Sequence, residues 1–508
     1  PMNVAGNLPP FTPRPTTTPL MNTMNIGTPA GSPVKVPMNT APTGISVTFN
    51  QNATAATFTD VGANNARNVM KVHGTTSRGY RSGQGFSGAG ATMTFTTTAN
   101  FNVGEQVWVT VTNAQSTAGA RTRPFVMGFR TRAGAGPATF VPGLSPSATA
   151  PFSATSGDFD GDGDLDLVAV SGSGNNVEVL LNNGAGVFAA PVSYAVGTTP
   201  ASIATGDFDS DGDLDLAVTN NGSANVSILR NNGSGVFAAA VNYPFGTPAG
   251  IVASDFDGDG DIDIATTNVG TNTVSISLNN GAGVFAAAIT YPIGTNPRLM
   301  TCGDFDGDGD IDIATANSGT NNVSILLNSG FGTFAAAVNY ATGLTGPFSV
   351  SNGDLDNDGD LDLVIGYTGS AFVSVLLNNG TGVFAAPVNY APGGTPSFAE
   401  CVDFDGDGDL DIATANFSTN NVGVLLNNGA GVFAAAVNYA AGVNSRHLTT
   451  GDFDGDGDMD IAVANAGSSF VSILLNALPL TVLGNVPPFT PRPTTVPLMN
   501  TPNVGTPT

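Results

Sequence analysis

Nine residues, Asp-Phe-Asp-Gly-Asp-Gly-Asp-Leu-Asp, recur seven times in this 508-residue chain with little variation. The copies comprise Asp158, Asp160, Asp162, Asp164 and Asp166; Asp207, Asp209, Asp211, Asp213 and Asp215; Asp255, Asp257, Asp259, Asp261 and Asp263; Asp304, Asp306, Asp308, Asp310 and Asp312; Asp354, Asp356, Asp358, Asp360 and Asp362; Asp403, Asp405, Asp407, Asp409 and Asp411; and Asp452, Asp454, Asp456, Asp458 and Asp460. Five carboxylates in nine residues repel one another unless a counter-ion sits among them. Oxygen donors at alternate positions suit a hard cation with six or seven ligands. In the first loop the expected donors are Asp158, Asp160, Asp162 and Asp166, with the backbone carbonyl of Asp164 as a further ligand. Gly161 and Gly163 permit the tight path that aims alternate carboxylates inward, while Phe159 and Leu165 point to the core. An all-protein, multidentate oxygen site favours Ca2+ over Mg2+, and Zn2+ would want nitrogen or sulfur. The expectation is about seven calcium ions, one per repeat, all structural because the seven sites look alike.

The loops also account for the charge. They hold 35 of the 39 acidic residues, the others being Asp60, Glu105, Glu178 and Glu400, and the net charge is -25. Ten of the 14 basic residues precede residue 133, whereas 137–484 carries only Arg230, Arg298 and Arg446. A basic head before an acidic body favours head-to-tail association through complementary fields. No basic stripe suggests nucleic acid. No apolar run is long enough to span a membrane. The neutral Asn, Thr, Ser, Gly and Ala background reads as a secreted, cell-surface protein. With Pro at position 1 and no visible signal peptide, the chain reads as processed or as part of something longer. His73 and His447 are the only histidines. No catalytic group is implied, and the chain is read as no enzyme. Cys302 and Cys401 occupy equivalent positions two repeats apart, too far to bridge.

The elements that must position the loops follow from the period. Successive loops are 48 to 50 residues apart. Each repeat reads as four strands: one entering the loop, one leaving it (Ile264–Thr267), a third such as Val323–Leu327, and a fourth in the Gly-Val-Phe-Ala-Ala-Ala-Val stretch, such as Val284–Ile289. Four antiparallel strands repeated seven times describe a β-propeller. The last repeat lacks its fourth strand, and Gly136-Pro-Ala-Thr-Phe-Val-Pro-Gly143, before the first repeat, supplies it. The predicted organisation is all-β. A Pro/Thr-rich extended segment covers 1–43, a two-sheet β-sandwich 44–136 and a seven-bladed calcium-binding propeller 137–484, and a Pro-rich tail at 485–508 repeats residues 7–30. Alternating segments such as Gln106–Thr112 suit half-buried strands, and Trp108 reads as a packing residue.

The repeats resemble the FG-GAP/VCBS family of seven-bladed propellers, which includes the integrin α-subunit head. The D-x-D-x-D-G-x-x-D loop and the repeat length both match. The resemblance implies loops that bind calcium between adjacent strands on one face. The 44–136 zone resembles bacterial Ig-like domains of the Big_5/SbsA type, through Ile45–Gln51, Thr92–Phe95, Asn102–Thr112 and Phe125–Thr131. The pairing is similar to large secreted proteins of Bacteroidetes-like bacteria.

Residues 6–29 return as 484–507 with 20 of 24 positions identical. Such agreement exceeds what a Pro-rich linker requires and implies a linear assembly, either a tandem array or a head-to-tail homopolymer. The function expected is that of an extracellular, calcium-stabilised filament or surface-fibre subunit or adhesin. The alternative is a carbohydrate-binding, lectin-like propeller, with surface glycans or other cell-surface proteins as partners. For that reading the recurring Tyr194, Tyr243, Tyr291, Tyr340, Tyr390 and Tyr439 would form a rim, although they also fit simple packing of the fourth strand.

Overall fold

The computed structural model describes residues 21–27, 44–49, 70–77, 86–89, 92–95, 102, 104–111, 125–130 and 136–476. Among these the structure is all β-strand and turn, with no helix. Seven four-stranded antiparallel sheets follow one another from residue 140 to 476. Blade 4 is representative, with strands Pro297–Gly303, Asp312–Asn317, Asn322–Leu326 and Val338–Ala341. The first strand of each blade packs against the first strand of the next, and blade 7 packs against blade 1, so the ring is closed around a central channel.

Burial grades outward. The second strand is buried at all six positions in every blade, as in Asp312–Asn317, so it reads as a run of Ile, Val, Ala and Thr rather than an alternation. In blades 1 to 6 the fourth strand is exposed except at its half-buried tyrosine. It is only three or four residues long, which limits the unpaired edge that each blade offers to other chains. Cores form between blades: Phe305, Ala314 and Ile325 of blade 4 pack with Val350, Leu363 and Ile365 of blade 5.

The fourth strand lies further along the chain than the sequence suggested. In blade 3 it is Ile289–Pro292 and not Val284–Ile289. Phe285 forms only a single bridge to Asn279, after which the alanines run at the surface. β-branched and aromatic residues hold a ladder better than alanine, and they sit in the Ile-Thr-Tyr segment that follows. The seventh blade is completed as expected: Phe140–Pro142 pairs with Val471–Asn476, with Asn476 opposite Phe140. Phe140 is buried there, edge-on to Phe404 and Tyr439 at 5.3 and 5.2 Å.

Seven further strands precede the propeller. β1 (Met21–Gly27), β2 (Gly44–Phe49), β4 (Phe86–Ala89) and β5 (Thr92–Phe95) form one sheet in the order β1-β2-β5-β4. β3 (Met70–Gly74), β6 (Gln106–Val111) and β7 (Phe125–Arg130) form another. β1 falls in the segment expected to be Pro/Thr-rich and extended; it pairs antiparallel with β2, with a register shift between Met21 and Thr23. The remainder of 1–43 and the tail 485–508 lie outside the described residues.

The β3-β6-β7 sheet docks on the propeller at the end where the Asp loops lie. The Val126 amide donates to the Gly309 carbonyl (2.8 Å), and the Asp158 amide donates to Thr76 O (2.7 Å). Trp108 packs against the cluster containing Phe256, Met300 and Ile311, in line with its expected packing role. Val107 and Val109 are buried on the opposite face of β6. The strand is therefore covered on both sides and not half-exposed, because a second body sits on the face that alternation alone assigns to solvent.

Candidate metal centre

Each Asp loop joins the first and second strands of its blade, and all seven lie at one end of the ring. Local hydrogen bonding shapes them. In blade 1 the Gly161 amide donates to Asp158 Oδ1 (2.7 Å), the Asp162 amide to Asp160 Oδ1 (3.2 Å) and the Asp164 amide to Asp162 Oδ1 (2.9 Å). Such bonds from a backbone amide to the Asp two or three residues earlier are ordinary turn chemistry, repeated here until the carboxylates converge. Two loop positions need the left-handed region. The second is glycine in all seven copies, as in Gly163 at φ 101° and Gly212 at φ 103°. The first accepts Ser210 (φ 62°) and Asn357 (φ 61°) in blades 2 and 5, because its φ lies within the small left-handed basin open to L-residues.

The carboxylates converge in the way a cation requires. Ligand oxygens of Asp158, Asp160 and Asp166 lie within 4.8 Å of one another, as do those of Asp207, Asp209 and Asp215, and of Asp354, Asp356 and Asp362. In blades 3 and 4 the groups are Asp255, Asp257, Asp259 and Asp304, Asp306, Asp308. Two more such groups are present. First and second aspartates thus meet as expected, joined by the third or the fifth. The fourth leaves the cluster: the Asp164 carboxylate lies against Gly184, where any side chain would collide with it, and Asp213, Asp261, Asp360 and Asp409 lie likewise against Gly233, Gly281, Gly380 and Gly429. Its side chain thus lies against the glycine turn, as that of a residue ligating through its backbone carbonyl would.

The donor set fits a hard cation. Oδ1 of Asp209, Asp354 and Asp356 is buried with no hydrogen-bond donor. A carboxylate oxygen can only accept, so such burial is costly unless a cation supplies the missing partner. Burial, with repulsion from the neighbouring aspartates, pushes Asp304 up to about 7 and Asp354 up to about 6. The residues present could hold one ion per blade, all through oxygen.

The fifth aspartate has a second task that sequence reasoning missed. It is fully buried in every blade. Asp166 accepts amides from Phe159 (3.0 Å) and from Asn182, 16 residues on (2.7 Å). Burial pushes it up to about 7, and the bonds from Asn182 and Phe159 offset part of that rise. Asn182 Nδ2 in turn donates to Leu165 O in its own loop (3.0 Å) and to Phe453 O in the loop of blade 7 (2.8 Å). Asn231, Asn279, Asn328, Asn378, Asn427 and Asn476 make the same inter-blade bond, to Phe159, Phe208, Phe256, Phe305, Leu355 and Phe404. Seven asparagines therefore link the seven loops into a ring. The signal that could have revealed them was identity at one position of every repeat, in a residue that a turn explanation accounted for too easily.

The recurring tyrosines bridge blades as well. Tyr340 packs edge-on to Phe384 of the next blade (5.4 Å) and its hydroxyl donates to Gly382 O (2.9 Å); Tyr243, Tyr390 and Tyr439 donate to Gly283, Gly431 and Ala138. Of the two roles open to them, the structure shows packing.

The sites are not all alike. Arg230 Nη1 lies 3.5 Å from Asp209 Oδ2 in blade 2. Asn357 of blade 5 donates to Asp409 of blade 6 (2.7 Å). In blade 3 the Thr110 hydroxyl, carried by β6, donates to Asp255 Oδ2 (2.7 Å). His73, on β3, is buried with Nε2 3.1 Å from Gly260 O. Neither Cys302 nor Cys401 is in a disulfide.

Fold and site together define a seven-bladed propeller with an acidic, oxygen-lined loop in each blade. Six overlapping matches to the FG-GAP-like repeat model cover residues 158–218, 207–266, 255–315, 304–365, 354–414 and 403–463, and the chain belongs to this family. No relative is found among curated proteins. Solved structures similar in fold include an Agrocybe aegerita lectin that recognises non-reducing terminal N-acetylglucosamine (21% identity, 79% of this chain and 96% of that one, TM-score 0.43). Others are virginiamycin B lyase from Staphylococcus aureus (13%, 66% and 99%, 0.46) and a putative 6-phosphogluconolactonase from Bacteroides uniformis (15%, 73% and 96%, 0.46).

Proposed function

We propose that this is an extracellular structural protein, stiffened by about seven calcium ions, whose chains join head to tail in a filament or surface fibre of the adhesin kind. The observation that carries the reading is the duplicated end: 20 of 24 positions in 6–29 recur in 484–507. The head copy contains β1, which pairs with β2 at the edge of its sheet. In the tail copy the corresponding stretch is Met499–Gly505, identical except for Pro502 and Val504. A tail segment of one chain taking the place of β1 on the β2 of another would join copies by strand addition. Proline is tolerated on such an edge strand where its nitrogen faces outward. We read the β1–β7 sheets as an Ig-like domain that receives this strand, and the propeller as the rigid spacer between junctions. Catalysis has no part in this reading.

Electron microscopy of the full chain in calcium tests the proposal. Regular fibres are expected, lost when residues 484–508 are removed and lost on chelation. Monodisperse single chains under all conditions would overturn it. The carbohydrate-binding alternative has less residue-level support, since the tyrosines that would form its rim are engaged between blades; saturable glycan binding unaffected by Tyr340→Phe would revive it.

A further inference from the structure

The propeller has only three basic residues in 137–484. Arg230 serves an Asp loop. The other two, Arg298 and Arg446, occupy the second position of the first strand in blades 4 and 7, almost opposite one another across a seven-membered ring. The Asp loop of blade 4 begins six residues after Arg298, and at about 3.3 Å per residue that is about 20 Å away. The two arginines therefore stand at the channel mouth remote from the loops. The β3-β6-β7 sheet contacts the loop end through Thr76, Thr110 and Val126, and among the described residues the arginine end carries no such cover.

Among the described residues both guanidiniums are held in place by rings and a hydroxyl, not by carboxylates. Arg446 lies between the rings of Phe152 (4.9 Å) and Phe417 (4.8 Å), and Arg298 lies over Phe348 at 5.7 Å. Arg298 Nε donates to Ser318 Oγ (3.3 Å). Arg446 Nε is buried with no hydrogen-bond acceptor. Each is partly buried, and the charge that bears on Arg446 is the like charge of Arg298. A sandwich of aromatic rings fixes a guanidinium plane and leaves its donor edge pointing outward. Two guanidiniums held in this way at one channel mouth, with Arg446 Nε still lacking an acceptor, suit an oxyanion as their shared partner. Beneath them is a channel cavity of about 250 Å³, lined among others by Leu299, Phe398, Glu400 and His447. That is below the roughly 300–1,000 Å³ of sites for drug-sized ligands and suits a molecule of a few heavy atoms. Glu400, deeper in the channel, keeps the anionic end at the mouth.

We propose that the open mouth of the channel binds a small oxyanion, carboxylate or sulfate-like, between Arg298 and Arg446. This stands independently of the filament reading. The test is calorimetric titration of the calcium-loaded full chain with sulfate and, separately, with succinate. One saturable site per chain is expected for at least one probe. Its affinity should fall at least about tenfold in Arg298→Gln/Arg446→Gln, the loss of one charge-assisted pair being about 1.5–3 kcal/mol. Sulfate alone binding identifies a tetrahedral ligand, and succinate alone a carboxylate. If the double variant does not fold, Arg298→Gln alone carries the test, with a loss of at least about threefold. No saturable binding of either probe, or undiminished binding by a folded variant, overturns the proposal.

Discussion

Asn328 illustrates how much one repeated side chain carries. Its amide group donates to Phe256 O and Ile311 O, while its backbone amide holds Asp312. Replacing it with alanine leaves the backbone bond but strands two buried carbonyls. An unsatisfied buried group costs about 1–3 kcal/mol, so Asn328→Ala is expected to lose about 2–4 kcal/mol in urea denaturation at saturating calcium. His447 gives a pH signature of its own. Burial lowers it to about 4, its ring lies 3.9 Å from that of Phe398 at a tilt of 32°, Glu400 lines the same cavity, and Arg446 precedes it in the strand. The unfolded chain binds this proton at higher pH than the folded one does. Stability is therefore full above the unfolded value near 6.5 and declines as pH falls from there toward 4. His447→Gln should narrow the gap between melting temperatures at about pH 7.5 and about pH 5 by a few degrees. Calcium sites titrate alike in both proteins, so the difference isolates the histidine; an unchanged gap would contradict the assignment.

At the scale of elements, the weakest joint of a ring is the place where the chain begins and ends it. Blade 7 borrows its outer strand, Phe140–Pro142, from ahead of blade 1. That strand is anchored by Phe140, buried among Phe404, Val422 and Leu474. Removing a buried phenylalanine costs about 3–5 kcal/mol, and here the loss also frees an edge. Phe140→Ala is expected to increase hydrogen exchange at Val471–Asn476 well before exchange rises in blades 3 to 5. Uniform exchange across all blades would mean that the strand does not act as the clasp. The closure was legible because the seventh repeat visibly lacked a segment. The fourth-strand register was not: Val-Phe-Ala-Ala-Ala satisfies an apolar pattern, yet only Phe285 of that run is buried, and pairing begins where Ile289 and Tyr291 meet Ile276 and Val274.

For the molecule as a whole, the proposed calcium reading makes metal binding and folding one equilibrium. At a hundredfold excess over Kd each bound ion adds about 2.7 kcal/mol, and a typical domain has only about 5–15 kcal/mol in total. Even half-independent sites would then dominate stability. Adding EDTA is expected to lower Tm by at least about 15 °C; an unchanged Tm would remove calcium from the structural account. The β3-β6-β7 sheet belongs to this scale too, since it rests on loops of blades 1, 3 and 4 and closes one end of the channel.

What the linear sequence determined by itself was the repeating unit: blade count from the period, loop chemistry from alternating aspartates, ring closure from a displaced strand. These are local or strictly periodic, and an internal repeat records them seven times over. The tertiary structure alone decided what crosses between units. That includes the asparagine ring tying each loop to its neighbour, the sheet seated on the loops, and the placing of Arg298 and Arg446, 148 residues apart, at the same end of the ring. Such contacts join residues with no fixed spacing, or with a spacing shared by many residues that do not touch. Only closing the ring brings those side chains within reach of one another.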